Sequence, residues 1–399
     1  FILEEKTTKR KNELSPVTSG FDPNIKKIIR GPRAKRNTSF TYLTAEEASI
    51  AGLNKKMSFY RMNENGTYGG FVEQNRYGKE GRRPHHISEI TVTRPDGTRY
   101  VYGDQVYNFV QKEVTFNVGT EKDGPTLYEH GSLAEYEKND ASSENDKGKD
   151  NYYNCNELPP YASGYQLTAM LSSDYVDVTG DGPTPDDLGS YVKVNYAQLY
   201  GMNDAYKWRN PYNYKMANFL DTYKSSHDDD KATYLYGKKE IKYIHSIESK
   251  NHVAVFFYSP RNDAYEARGE KIGSGGSQIQ GDKTLMKLDS ISLYVNNSEF
   301  KTALENKTLG NVCPVKTVMF GYKYSLCKGN PAFKGSKNDG DGKLTLKTIS
   351  FRHFNSKKAE KSPYTFDYGI NPDYMNHAMD RWGSYTDDID IDNPYVSQA

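Results

Sequence analysis

The sequence is poor in cysteine and tryptophan and has no long apolar run. Only three cysteines and two tryptophans occur in 399 residues. So few cysteines exclude a disulfide-dense scaffold; one bond can join Cys313 to Cys327 across a strand pair, which would leave Cys155 unpaired. No apolar run reaches the roughly 18 residues that a membrane-spanning helix needs, so no transmembrane segment is predicted.

Neither sign of charge dominates the chain. The 53 Lys and Arg residues almost balance the 52 Asp and Glu residues, so composition offers no electrostatic argument for nucleic acid as a partner. Residues 1–38 nevertheless hold a basic cluster with little periodicity and are interpreted as an extended basic lead-in. The chain begins Phe-Ile-Leu, with neither an initiator Met nor a signal peptide, which suggests a piece of a longer or processed protein.

The common catalytic motifs are absent from the sequence. We find no nucleophile elbow, Walker loop, dinucleotide-binding glycine pattern or His-Glu-x-x-His. The stretch 273–277, Gly-Ser-Gly-Gly-Ser, is nearest to an elbow but resembles a flexible linker. The prediction is therefore a protein that is not an enzyme, although the members of a triad can be scattered along a chain. A hydrolase would need a deep pocket where His245, His353 or paired aspartates converge.

Tyrosine is the abundant residue type, with 34 Tyr against 16 Phe. Tyrosine favours β-strands, and its hydroxyl can reach solvent at the exposed face of a sheet. Alternating apolar and polar residues predict hairpins at 58–72, 87–102 and 239–258, with more strands at 113–118, 191–196, 285–295, 315–324, 344–354 and 363–368. We therefore predict an all-β fold: extended antiparallel sheets in a shell-, barrel- or solenoid-like arrangement with few short helices. The best helical window, 204–223, is interrupted by Pro211.

The chain is expected to divide at a polar tract. Residues 142–151 are too polar to bury and indicate an exposed loop. The predicted organisation is an extended basic lead-in at 1–38, a β-hairpin-rich domain at 39–140, a polar loop at 141–160, and a second β-rich domain at 161–399. This division agrees with a length that exceeds what one hydrophobic core usually supports.

The stretch 177–187, here called the Asp177 loop, has the spacing of a cation-binding loop. Asp177, Thr179 and Asp181 place side-chain oxygens at its first, third and fifth positions, and the intervening glycines allow the backbone to turn inward. Ca²⁺ is typically bound by such oxygen ligands. The predicted ligands are Asp177, Thr179, Asp181, the Pro183 carbonyl, Asp186 and Asp187.

The Asp177 loop also has an ordinary structural interpretation. Its twelfth position is Leu188 where an EF-hand has Glu, and Pro183 and Pro185 prevent a following helix. The alternative is a Gly-Asp turn whose aspartates accept hydrogen bonds from neighbouring amides. Both interpretations stay open from the sequence, and a structural Ca²⁺ is the one predicted.

Three other groups are weaker candidates for a site. Stretches 338–342 and 227–230 contain closely spaced acidic residues, but a hairpin tip and an exposed loop explain them. His85 and His86 precede a strand and would point to opposite faces, so structural histidines are expected. The remaining group consists of aromatic pairs that favour cross-strand ladders over a glycan-stacking or base-stacking surface: Tyr100 with Tyr102, Tyr206 with Trp208, Tyr212 with Tyr214, and Tyr322 with Tyr324.

Several phrases of the sequence resemble one protein family. They are PHHISEITVTRPDGTRYVYG at 84–103, DYVDVTGDG at 174–182, KLDSISLY at 287–294, SPYTFDY at 362–368 and DRWGSY at 380–385. These phrases are similar to the region upstream of the repeats in very large secreted RHS/YD-repeat-type proteins of Bacteroidota. The resemblance implies a β-rich shell or cocoon that accompanies a variable effector region, and it assigns no catalytic residues here. The Asp177 loop also resembles the Ca²⁺ loops of FG-GAP and VCBS propeller repeats.

The expected function is that of a structural scaffold in a large secreted or surface-displayed bacterial protein, located outside the cell or on its surface. Its expected partners are other segments of the same polypeptide, with surface or secretion-machinery proteins as further candidates. The main alternative is an adhesin or glycan-binding module that uses exposed tyrosines and Trp208. A hydrolase is the third alternative.

Overall fold

The protein is mostly β, as the sequence predicts. The computed structural model describes residues 37–78, 81–119, 133–219, 231–270, 278–335 and 340–375. Within these ranges the only α-helices are short, α1 (Ala45–Ala51) and α2 (Ser298–Glu305). A side-chain oxygen caps the N-terminus of each helix: Thr44 accepts a hydrogen bond from the Glu47 amide, and Asn297 accepts one from the Phe300 amide. Neither helix has the length and hydrophobicity to cross a membrane.

The larger of two sheets has thirteen strands. They are β1 (Ser39–Thr44), β2 (Met57–Met62), β3 (Tyr68–Gln74), β4 (Ile87–Thr93), β5 (Arg99–Tyr102), β10 (Ala169–Leu171), β11 (Tyr191–Tyr200), β15 (Ile241–Ser249), β16 (His252–Ala267), β17 (Gln280–Val295), β18 (Lys316–Leu326), β19 (Lys343–His353) and β20 (Tyr364–Thr365). Their order is β1-β4-β5-β10-β11-β15-β16-β17-β18-β19-β20. Strand β2 lies parallel to β11 and antiparallel to β3, which is a branch at the side of the sheet.

The smaller sheet has seven strands. They are β6 (Asp104–Asn117), β7 (Leu133–Glu135), β8 (Tyr153–Leu158), β9 (Tyr161–Gln166), β12 (Tyr206–Asn210), β13 (Met216–Phe219) and β14 (Lys231–Lys239). The order is β7-β13-β14-β6-β8, with β12 paired to β14 and β9 paired to β6. Strand β6 is the longest member and forms its centre.

The predicted hairpins are present. Strands β2 and β3 pair across a turn at Gly66, and β4 and β5 pair across a turn at Gly97. Both glycines have positive φ, 85° and 90°, a conformation that side chains with a Cβ rarely adopt. Strands β15 and β16 form the third hairpin, with Ile247 opposite Ala254. Local sequence was sufficient here because turn chemistry and strand alternation agree.

Two local predictions differ from the structure. The window 204–223 is not a helix in its described part, which contains a 3-10 turn at Met202–Asp204 and strands β12 and β13. Pairing of β12 and β13 with β14 supplies the hydrogen bonds that a helix would have made internally. Segment 141–160 is not all loop, since it includes β8. Strands on both sides of that segment pair with one another in both sheets, as β5 does with β10 and β6 with β14.

Several sequence predictions lie outside the described residues. They concern 1–36 of the basic lead-in, the stretches 227–230, 273–277 and 380–385, and residues 338–339 of the second acidic stretch.

Packed aromatic rings link the two sheets. Tyr200 of β11 stacks on Tyr206 of β12 with ring centroids 6.1 Å apart, and Leu199 and Met286 belong to the same buried cluster. The smaller sheet has its own core, where Phe116, Tyr136 and Tyr234 meet. The predicted wet-face role of tyrosine is therefore only part of its use. Tyr200 is 1% exposed, and its hydroxyl donates to the Thr284 carbonyl at 3.0 Å.

Candidate functional site

The Asp177 loop projects between β10 and β11 of the larger sheet. An isolated antiparallel bridge between Val176 and Leu188 closes its base. Gly180 and Gly182 both have positive φ, 75° and 86°, as the sequence predicts for a loop that turns inward. The loop is thus a defined turn held at its neck.

Two of the predicted ligands bind the backbone of the loop. Asp177 accepts from the amides of Gly180 and Gly182 at 2.6 and 3.1 Å. Asp187 is 3% exposed and accepts from the Val178 amide at 3.0 Å. Asp187 also accepts from the Thr184 amide and the Tyr175 hydroxyl, at 2.9 and 2.7 Å. Both carboxylates therefore stabilise the loop whether or not an ion is present.

Three of the other predicted ligands, Thr179, Asp181 and Asp186, are exposed, whereas Pro183 is buried. The Thr184 hydroxyl lies 2.6 Å from Asp186 and 3.5 Å from Asp181. Thr179 donates to Asp181 at 2.6 Å. The Pro183 carbonyl accepts from Lys193 at 3.5 Å, so a cation already faces the main-chain oxygen predicted as a ligand.

The folded loop agrees with the turn interpretation. Because several of the predicted ligand oxygens already accept hydrogen bonds, fewer of them are open to a cation than the sequence predicts. Across the described ranges, no group of three or more His, Cys, Asp and Glu side chains is placed to hold a metal ion together. The carboxylate oxygens most accessible to an ion are those of the exposed Asp181 and Asp186. The Asp177 oxygens could also bind it through their second lone pairs. Calcium at the Asp177 loop stays a prediction, and its expected ligands narrow to the exposed side of the loop.

The weaker candidates lie apart from this loop. His85 and His86 do not point to opposite faces, because their rings meet edge to face at 4.9 Å, and His86 Nδ1 lies 3.1 Å from the Tyr107 hydroxyl. His353 is exposed. Trp208 is half-buried, and a Cβ on Gly237 would lie only 2.5 Å from its ring. The three cysteines are free thiols.

A buried ionic network, which the sequence did not predict, lies where the chain passes between the sheets. Glu240 stands between β14 and β15, and it is 1% exposed. Its carboxylate lies 3.0 Å from Arg82 and 3.4 Å from Lys242. Lys242 in turn lies 2.6 Å from Asp104, the first residue of β6. We call Arg82, Asp104, Glu240 and Lys242 the junction network.

Neutral groups complete the hydrogen bonding of Glu240. The Gln198 side-chain amide donates to it at 2.6 Å and the Tyr107 backbone amide at 3.1 Å. Burial acts to raise the pKa of Glu240, but Lys242, Arg82 and these donors outweigh it, so the pKa lies below its ordinary value. For Asp104 burial prevails over Lys242, and its pKa is raised. The two cations therefore favour the charged form of Glu240, whereas burial disfavours the charged form of Asp104.

The one signal of this network in the sequence is local. Glu240 and Lys242 are two apart and so share a face of an extended chain. The alternation in 239–247 predicts that Ile241 and Tyr243 are buried and that the charged positions are exposed. The structure shows Lys242 only 9% exposed, while Ile241 and Tyr243 are half-buried. Lys242 donates to Asp104 and to the Gln105 carbonyl of β6 at 2.6 and 3.1 Å, and no local pattern predicts these contacts.

A cavity of about 1050 Å³ opens beside strands of the larger sheet. We call it the hairpin cavity, because the β2–β3 hairpin, strands β15 and β16, α2 and the following 3-10 turn at Leu309–Asn311 enclose it. Rings and aliphatic side chains supply eight of its seventeen lining residues: Tyr60, Tyr68, Phe71, His245, Phe257, Tyr258, Leu304 and Leu309.

His245 lies fully buried at the wall of the hairpin cavity. Its ring stacks on Tyr60 with centroids 3.7 Å apart, and its Nδ1 lies 2.9 Å from the Ser246 hydroxyl. Its Nε2 has no hydrogen-bond partner among the described residues. Burial lowers the pKa of His245 to about 3, so the ring is neutral at pH 7. His353 does not line the cavity.

No protein-family model, curated protein or solved structure matches this chain.

Proposed function

We propose that this chain is a structural scaffold, a rigid β wall that encloses or presents a neighbouring segment of a larger polypeptide. The junction network is the observation that carries the proposal. The described strands cross between the two sheets four times. Asp104 follows the first crossing, Glu240 lies at the last, and Lys242 joins these two residues. Ion pairs at these two crossings resist rotation of one sheet against the other.

A second buried pair reinforces the first crossing. Arg76 is fully buried and lies 3.1 Å from Glu89. It also donates to the Gly103 carbonyl at 2.9 Å and to the Ser88 hydroxyl at 2.9 Å. Its guanidinium therefore holds β4 to the crossing point. Loss of one partner from a buried pair typically costs about 3–5 kcal/mol, so these contacts favour one fixed arrangement of the sheets.

The alternatives find less support in the geometry. A glycan platform built on Trp208 would need an exposed ring, whereas this ring lies across Gly237. A hydrolase that used His245 would need a general base with a pKa near 7, whereas burial holds its pKa at about 3. The aromatic content supports a wall, because rings pack together in its core, as Tyr234 of β14 does with Tyr136, the residue that follows β7.

The setting proposed for this scaffold is a large secreted or surface-displayed bacterial protein of the RHS/YD-repeat type, with other segments of that polypeptide as partners. The resemblance of the phrases at 84–103 and 287–294 supports this setting. One Ca²⁺ is proposed at the Asp177 loop, where it would bind Asp181, Asp186 and Asp177 and add a tie between β10 and β11.

Limited proteolysis tests the scaffold. The chain is produced joined to the polypeptide that adjoins it in its reading frame, and cleavage of the neighbour is followed over time. We expect the neighbour to be protected, and Glu240→Gln to speed its cleavage. Glu73→Gln, which alters an exposed pair with Lys56 at 3.3 Å, is the control and should protect as well as the original. Equal cleavage of the neighbour with and without this chain attached would refute the proposal.

A further inference from the structure

In the part of the chain that the structure describes, strand β3 has one unpaired edge, and it lies beside the hairpin cavity. Among the described residues β3 pairs only with β2, so the backbone amides and carbonyls along its other edge have no strand partner. Gly69 and Gly70 both line the cavity, and glycines can contribute only backbone to a wall. An unpaired strand edge is a template for another extended chain.

The cavity beside this edge has the composition of a side-chain pocket. The hydroxyls of Tyr68 and Tyr258 donate to the carbonyls of Phe256 and Ile244. These tyrosines therefore present rings to the cavity, and their polar groups are already used. Phe71 is 54% exposed and meets Tyr60 edge to face at 5.2 Å. Such a surface favours a large apolar group.

The charged residues at the rim of the cavity carry both signs and so favour neither an anionic nor a cationic ligand. Lys301, Glu305 and Lys307 line the cavity and are exposed, and they include both signs. The volume of about 1050 Å³ is near the upper end of ligand pockets, which span roughly 300–1,000 Å³. The space therefore admits several residues of an extended chain.

We infer that the hairpin cavity binds an extended peptide segment, which adds as a strand to the free edge of β3 and seats one aromatic or large aliphatic side chain among Tyr60, Phe71 and Leu304. Main-chain hydrogen bonds give affinity in this mode of binding, and the pocket gives specificity. This inference rests on the proposed scaffold, since the natural segment would belong to the polypeptide that the wall presents.

The test uses a fluorescein-labelled heptapeptide of alternating threonine and valine with a central phenylalanine, and fluorescence anisotropy measures its binding to the whole chain. A second peptide carries the same side chains but has methyl groups on alternate backbone nitrogens, which blocks strand pairing. We expect the first peptide to bind and the methylated one to bind at least tenfold more weakly.

A matched pair of variants locates the site. Phe71→Ser removes an exposed ring of the cavity and should weaken binding at least tenfold. Phe40→Ser removes a ring that is 59% exposed on edge strand β1, outside the cavity lining, and should leave binding unchanged. Absence of binding overturns the inference. So does equal binding of the methylated peptide, which would indicate an apolar ligand held by side chains alone, and so does equal binding by Phe71→Ser. The proteolysis variants Glu240→Gln and Glu73→Gln leave the cavity lining unchanged, and the peptide assay needs no neighbouring polypeptide, so either proposal can fail alone.

Discussion

Glu240 holds two buried cations, Arg82 and Lys242, at the point where the chain passes between its sheets. Glu240→Gln keeps the shape of the side chain but leaves those cations without their main counter-charge. We expect the free energy of unfolding to fall by about 3 kcal/mol or more, measured by urea denaturation. The exposed control Glu73→Gln should change it by less than about 1 kcal/mol. Similar losses in both variants would contradict the role given to the junction network.

His245 gives the stability a defined pH dependence. Burial lowers its pKa from 6.5 to about 3. Between these two pH values the imidazole is therefore protonated in the unfolded chain and neutral in the folded chain. The stabilisation is complete above pH 6.5 and declines as pH falls towards 3, by up to about 1.4 kcal/mol for each pH unit. We expect His245→Phe to remove about 2 kcal/mol of the loss between pH 7.5 and pH 5, measured as unfolding free energy at both values.

The comparison variant for that pH series is His252→Phe, on the adjacent strand, where the side chain is exposed. It should keep the pH dependence of the original chain. If the unfolding free energy of His245→Phe changes with pH as it does in the original chain, His245 is not the source of this pH dependence.

At the scale of an element, the Asp177 loop depends most on Asp187. Asp187→Ala removes the acceptor of the Tyr175 hydroxyl and of two backbone amides. We expect a loss of about 2 kcal/mol or more of unfolding free energy, because these donors stay partly buried. Asp181→Ala, at an exposed position, should cost under about 0.5 kcal/mol in the absence of calcium. Thermal unfolding in EDTA measures both, and equal losses would contradict this assignment.

Calcium binding to the same loop is tested by addition of the ion. If the Asp177 loop binds Ca²⁺, an excess of about 100-fold over the dissociation constant should stabilise the fold by about 2.7 kcal/mol. The double change Asp181→Ala with Asp186→Ala should abolish that gain, while Mg²⁺ at the same concentration should give little of it. A melting curve that is the same in EDTA and in calcium would exclude the ion.

At the scale of the whole molecule, strand pairing joins distant parts of the chain. Strand β6 pairs with β14, and β5 pairs with β10, so fragments 39–160 and 161–399 each lack partners for long edges. We expect each fragment alone to be unfolded or aggregated, and the two together to regain the near-ultraviolet circular dichroism of the whole chain. A native-like spectrum from either fragment alone would show an independent domain.

Local sequence is sufficient for the strand-rich class and for the hairpins with turns at Gly66 and Gly97. In each case residues near one another in the chain supply both the alternation and the turn, so the pattern can be read locally. At the Asp177 loop the sequence predicts calcium but leaves a tight turn open as the alternative. Aspartates spaced for an ion are spaced equally well for the amides of a tight turn, and in the structure Asp177 and Asp187 bind those amides.

Which polar residues are buried depends on contacts between strands that are distant in the chain. Glu240 and Lys242 have the alternation of a solvent-facing strand, and they are buried because residues more than 130 positions away, Asp104 and Tyr107, pack against them. The hairpin cavity likewise combines β2, β3, β15, β16 and α2, which no local pattern brings together. Long-range strand pairing sets these contacts, because it brings together strands that lie far apart in the sequence and so determines which side chains are buried.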